Sequence, residues 1–317
     1  MNVNIDNLEH VFTTLNGFES LSNGDLTSPD SVYAKTVLKL NGVDFRGREG
    51  SESFMSSVKA GATKVYEMIK NFLKAIRDFF FGSKGSKQTK TIDDAVKSTK
   101  SQLTFLTNVK PVEITGLTQE AKERIGKQME RITNLMENKE VALAFDHYYS
   151  FKDKYTAGQH EALLKWFDVE NVPGPKVSDS GFKFKEIKEI YEKINKVGSE
   201  HKVWNDMKTP ETFLSSFKTI APLVTLQGLY QEMRNVATQG LAEVTKDLEY
   251  NNEIAKKYMN DKEEVFVKRG KEIEKLCKHM VQASNNNTSL IKHCDNQILL
   301  IESGISKLKK IVDGNKE

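Results

Sequence analysis

Residues 53–81 read SFMSSVKAGATKVYEMIKNFLKAIRDFFF, and apolar side chains recur there at Phe54, Val58, Ala62, Val65, Ile69, Phe72, Ile76 and Phe79, spaced 4, 4, 3, 4, 3, 4 and 3. That is the period of an amphipathic α-helix, not of a strand. The same period governs the far end of the chain. Ile291, Cys294, Ile298, Ile301, Ile305, Leu308 and Val312 follow at 3, 4, 3, 4, 3 and 4, a heptad seam. Between the two, Thr118-Gln119-Glu120 opens a helix carrying Ile125, Met129, Ile132 and Met136, and Thr209-Pro210-Glu211 sets a threonine cap before an N1 proline. Only 6 Pro and 19 Gly in 317 residues argue against a turn-rich sandwich or barrel. The fold class predicted is all-α: an elongated multi-helix bundle with a weakly structured N-terminal arm and a long C-terminal antiparallel helical hairpin. In that hairpin the seam helix is expected to pack on residues 241–280, with Asn285-Asn286-Asn287-Thr288 interrupting the two.

Composition divides the chain further. Residues 1–49 hold seven acidic side chains (Asp6, Glu9, Glu19, Asp25, Asp30, Asp44, Glu49) against four basic ones, with short helical candidates at 8–15 and 31–40 separated by turn-rich sequence. They read as an acidic arm. Residues 54–90 reverse the balance, with eight basic residues against Glu67 and Asp78. Gly82-Ser83-Lys84-Gly85-Ser86-Lys87 reads as a flexible basic linker. Val172-Pro173-Gly174-Pro175 is the strongest breaker in the chain. The expected division is therefore 1–49, 50–90, 91–172 and 173–317.

Several function classes lose ground at this level. The start of the chain lacks the basic and apolar regions of a secretory signal, and no run reaches the 18 or more apolar residues of a membrane span. No phosphate loop, dinucleotide fingerprint, HExxH or GxSxG motif occurs, and no cofactor motif does. Glu120 with Glu123, and Glu186 with Glu189, have the spacing of solvated helix faces. Cys277, His279, His293 and Cys294 could be zinc ligands by type. Structural zinc ligands come in close pairs on turns, however, so buried cysteine and surface histidine is the better reading. His147 and the aromatics from Tyr148 to Trp166 are explained equally well as packing. The chain reads as a non-enzyme with a net charge of only +3, so any polyanion binding must come from local clusters.

The 54–81 helix is the most informative such cluster. Its apolar face (Phe54, Val58, Val65, Ile69, Phe72, Ile76, Phe79, Phe80) is either a core face or a face for a membrane surface or partner. Its cations (Lys59, Lys64, Lys70, Lys74, Arg77), with Lys84 and Lys87 beyond, are candidate phosphate contacts. Packing against other helices is the commoner fate of such a face.

The junction Gly47-Arg48-Glu49-Gly50-Ser51-Glu52-Ser53-Phe54, followed by Val58-Lys59-Ala60-Gly61-Ala62-Thr63-Lys64-Val65 and the helix to Phe81, resembles the internal head proteins of large tailed bacteriophages. In that group a prohead protease removes an N-terminal propeptide, cutting after a small or aliphatic residue, any residue and Glu. The resemblance implies cleavage after Glu49, with Gly47, Arg48, Glu49 and Gly50 forming the site. It also implies residence in the virion interior after synthesis in the host cytoplasm. The implied partners are other virion or helical proteins, packaged DNA and, on ejection, a host membrane. It covers about 35 residues. Read without it, the chain is a cytosolic helical interaction module that uses its C-terminal hairpin for a protein partner or an oligomer.

Overall fold

The computed structural model describes residues 7–45, 51–150, 157–178, 183–200 and 209–314, and every regular element among them is helical. The chain forms two compact units, each drawn from three separated stretches. The first comprises Met1–Lys84, Tyr148–Phe182 and Gln239–Thr288, the second Gly85–His147, Lys183–Thr238 and Ser289–Glu317. The linear division expected from composition is thus replaced by an interleaved one. Pro173 does not separate two units; its carbonyl accepts a 2.5 Å hydrogen bond from the Tyr258 hydroxyl inside the first.

In the first unit, α1 (Asn7–Ser22) and α2 (Pro29–Leu40) form a packed pair where a weak arm was expected. Leu15, Phe18, Leu21, Ala34 and Leu38 are buried, because the turn between the helices is well specified. Asp25 accepts hydrogen bonds from the backbone N–H groups of Thr27 and Ser28, Ser28 caps α2 at Ser31 N–H, and Pro29 takes the first helical position. Gly17 lets the helices close up: a Cβ there would lie 1.9 Å from the Asp30 carbonyl oxygen. Phe18 meets Phe45 edge-on, and Phe45 meets Phe54 in turn, tying the pair to α3 (Glu52–Ile76).

Ser51 caps α3 through a 3.2 Å bond from Phe54 N–H. The helix ends in a π-helical turn, Arg77–Phe81, and Gly82. The expected flexible linker after it is helical, since α4 runs Ser83–Thr107. The unit is completed by α8 (Ala157–Val169) and by parts of the two longest helices, α11 (Pro222–Met259) and α12 (Glu264–Asp313). Asn251 clamps the backbone of Lys176 with two 2.7 Å bonds, donating to its carbonyl and accepting from its N–H. Trp166, Phe167, Tyr258 and Phe266 form an aromatic cluster with the Arg269 guanidinium over Trp166.

The second unit holds α4, α5 (Pro111–Thr115), α6 (Gln119–Asn134), α7 (Lys139–Tyr149, all but its last two residues), α9 (Phe184–Glu200) and α10 (Pro210–Thr219), with the remaining parts of α11 and α12. Its core contains a polar spine. Arg234 Nε donates to Asp295 Oδ1 at 2.5 Å with both side chains buried, Gln88 donates to the other Asp295 oxygen, and Gln227 donates to Thr99 and to the Ile298 carbonyl. Tyr230 donates to Asn138 Oδ1, and Gln128 donates to the Gly304 carbonyl. Burial raises the Asp295 carboxyl, and the charge of Arg234 opposes it.

The long antiparallel hairpin is present, but its turn lies at 260–263, where Asp261 accepts from Glu263 N–H. Asn285-Asn286-Asn287 does not break the helix. Ile273, Cys277, Met280, Ser284, Asn287, Ile291 and Cys294 continue the 3.5-residue repeat unbroken to Val312, all buried. Asn287 and Ser284 take seam positions, so polar composition there marks a polar seam rather than a loop. The 291–312 segment accordingly faces α11 near Gln227 and Arg234, not residues 241–280.

Candidate functional site

The apolar row of α3 is core. Phe54, Val58, Val65, Ile69, Phe72 and Ile76 are each 3% exposed or less. The expectation of a free membrane or partner face is corrected for those six, because α1, Phe45 and Asn252, which donates to the Tyr66 carbonyl at 3.3 Å, cover that side. Only the π-turn departs from this. Phe79 and Phe80 are half-buried and Phe81 is 43% exposed, with the Phe80 ring meeting those of both Phe79 and Phe81. A π-turn shifts side chains off the α-helical register, so three successive phenylalanines cannot all follow the buried row.

The opposite face carries the cations. Lys59, Lys70, Lys74 and Arg77 are exposed, and they fall within roughly 60° of one another around the helix at 100° per residue. Arg77 pairs with Glu249 at 3.0 Å and Lys64 with Glu67 at 2.8 Å. Lys84 is exposed at the end of the first unit, and Lys87 is exposed in the second. Gly47, Arg48, Glu49 and Gly50 lie outside the described residues. Cys277 and Cys294 are buried, one in the first unit and one in the second. Among the described residues no group of three or more His, Cys, Asp or Glu side chains could hold a metal, and no helix is long and apolar enough to cross a membrane.

A second constellation, within the first unit, was not singled out by sequence reasoning. Lys268, Lys271, Lys275 and Lys278 recur at 3, 4 and 3 along α12 and, with Glu272, which pairs with Arg269 at 2.5 Å, line one wall of a cleft of about 260 Å³; Leu15, Glu19 and Ser22 of α1 and Asn23 just beyond it form the other. Glu19 joins the walls, ion-paired with Lys278 and lying 3.6 Å from Lys275. Burial works against ionisation of Glu19, but the hydrogen bond and charge of Lys278 prevail and hold its carboxyl below the usual range.

Glu274 also lines the cleft, and its Oε1 is shut off from solvent without a hydrogen-bond partner. Burial pushes this carboxyl up to about 7, opposed by the Lys271 charge and reinforced by Glu19. Behind it, the buried Tyr66 hydroxyl is likewise unpartnered, and burial together with the Glu274 charge raises its pKa. Buried Cys277 is raised by the same two influences. The cleft thus joins a row of ammonium groups to a carboxyl poised to hold a proton near neutrality. The 3-4-3 lysine spacing was visible in the sequence, but nothing local could place Glu19, 259 positions from Lys278, against it.

No family model matches the chain, no curated protein matches it in sequence, and no solved structure matches it.

Proposed function

We propose that the chain is a non-enzymatic structural protein of a phage head interior, processed after Glu49 and held against packaged DNA by the exposed cations of α3. The observation that carries the reading is the division of α3 into two faces: the apolar row is consumed by the core, and Lys59, Lys70 and Lys74 stand on the exposed side without an ion pair among the described residues. Eleven and four residues apart on a helix, they lie about 17 Å and about 6 Å apart along its axis, a row rather than a scattered set. Such a row neutralises backbone phosphates without reading bases. Loss of residues 1–49 would remove a segment of charge −3 and leave the remainder at +6, which favours the same partner, and would also take away α1 and α2, so that Phe18 and Phe45 no longer cover the start of the apolar row of α3.

The test begins with the intact mass and N-terminal sequence of the protein from purified particles. A particle-borne chain starting at Gly50 is the expected result, and a full-length chain absent from particles overturns the reading in favour of a cytosolic interaction module. Duplex DNA binding by the purified chain should weaken with salt at a logarithmic slope of about −3, about −0.9 per phosphate neutralised. Replacing Lys59, Lys70 and Lys74 by Gln should abolish that slope while leaving the fold intact.

A further inference from the structure

We propose that the cleft between α1 and α12 binds a small phosphate-bearing anion, inorganic phosphate or a phosphomonoester. Its volume, about 260 Å³, falls just under the several hundred Å³ typical of drug-sized ligand pockets and suits an ion with few other atoms. Four ammonium groups on one helical face would supply donors from one side. Two of them are already engaged by Glu19, and Lys268 pairs with Glu264 at 2.8 Å. Among the described residues Lys271 has no ion pair, and its charge acts on Glu274, whose Oε1 is buried without a hydrogen-bond partner.

That carboxyl selects the ligand class. A protonated Glu274 donates one hydrogen bond, and the Lys271 and Lys275 ammonium groups favour anionic acceptor oxygens beside it. A phosphate dianion offers several oxygens around one centre and meets both demands; a monocarboxylate has two oxygens and a single charge. The groups facing Glu274 are Lys271 and Cys277 on its own helix, Glu19 from α1 and Tyr66 from α3, so the ligand's charge is balanced chiefly by Lys271 and by those lysines that Glu19 releases. The cleft lies on α1 and α12, apart from the α3 row, so its occupancy and DNA binding are separable in the full chain; cleavage after Glu49 would remove the α1 wall and with it the site.

Calorimetric titration of the full chain with inorganic phosphate, phenyl phosphate and acetate tests this at about pH 6 and about pH 8. Saturable binding of the first two but not of acetate is expected, at least tenfold weaker in Lys271→Met and changed less than twofold in Lys262→Met, an exposed lysine outside the cleft. Glu274→Gln, which keeps a donor at that position, should retain binding at both pH values, whereas Glu274→Leu should lose it. No saturable binding, or equal losses in the two lysine variants, overturns the proposal. The triple Gln variant of Lys59, Lys70 and Lys74 should bind phosphate normally, so failure of the DNA reading and failure of this one give different results.

Discussion

Glu274→Gln should stabilise the first unit at alkaline pH and leave it nearly unchanged in acid. The folded state holds this carboxyl at about 7 against 4.5 for an ordinary glutamate, because its Oε1 is buried without a partner and the Lys271 charge only partly compensates. A folded pKa above the unfolded one means that the native state binds the proton more tightly. The associated stability is fully present below about pH 4.5 and is lost as pH rises through about 7. The shift of roughly two and a half units corresponds to about 3 kcal/mol at 1.36 kcal/mol per unit. Gln matches the neutral acid in shape and never ionises. Urea denaturation followed by far-UV circular dichroism in phosphate-free buffer would compare wild type and variant at about pH 4 and about pH 8.5. The expected gain is near zero at the first and about 3 kcal/mol at the second. The other charged neighbours, Glu19 and Lys271, are common to both proteins and cancel. A difference of equal size at the two pH values, or a variant weaker at pH 8.5, would refute the account of a buried, proton-holding carboxyl.

Two further perturbations probe the packing. Asp295→Ala leaves the buried Arg234 guanidinium without its partner and should cost about 3–5 kcal/mol, whereas Arg234→Met combined with Asp295→Leu should cost far less; chemical denaturation of the three proteins decides it. Gly61→Val places a side chain where a Cβ already lies 2.6 Å from the Phe18 ring and 3.1 Å from Phe45, so amide exchange should quicken across residues 7–45 while α4 and α6 keep their protection.

The all-α class and the apolar row of α3, though not its burial, were legible because a 3.6-residue period survives any tertiary arrangement. The starts at Thr118 and Thr209 were legible because a cap acts on its own neighbours, and both hydroxyls do accept from the N–H three residues on. The misread segments share another property: what packs against them lies far away in the sequence. Asn285-Asn286-Asn287 looks like a loop until Asn287 proves to sit in a seam, and Gly85 and Ser86 look like a linker until α4 is seen to pass through them. Composition marked residues 1–49 as acidic, but not that Glu19 would spend its charge on lysines near the other end of the chain. The cleft was invisible for the same reason, since only its α12 wall is a local pattern.

The interleaving of the two units bears on how the protein comes into being. The first needs residues from α1 through position 288 and the second needs α4 through α12, so a ribosome must release nearly the whole chain before either can close. Pairings such as Lys278 with Glu19 and Gln88 with Asp295 span more than 200 positions, and loops of that size must be closed before the contacts can reward the closure. Helices form quickly and alone, but their assembly is a non-local search, which slows folding and leaves apolar stripes such as that of α3 uncovered in the meantime. A cut at any position from 85 to 287 removes part of both units, whichever end is lost.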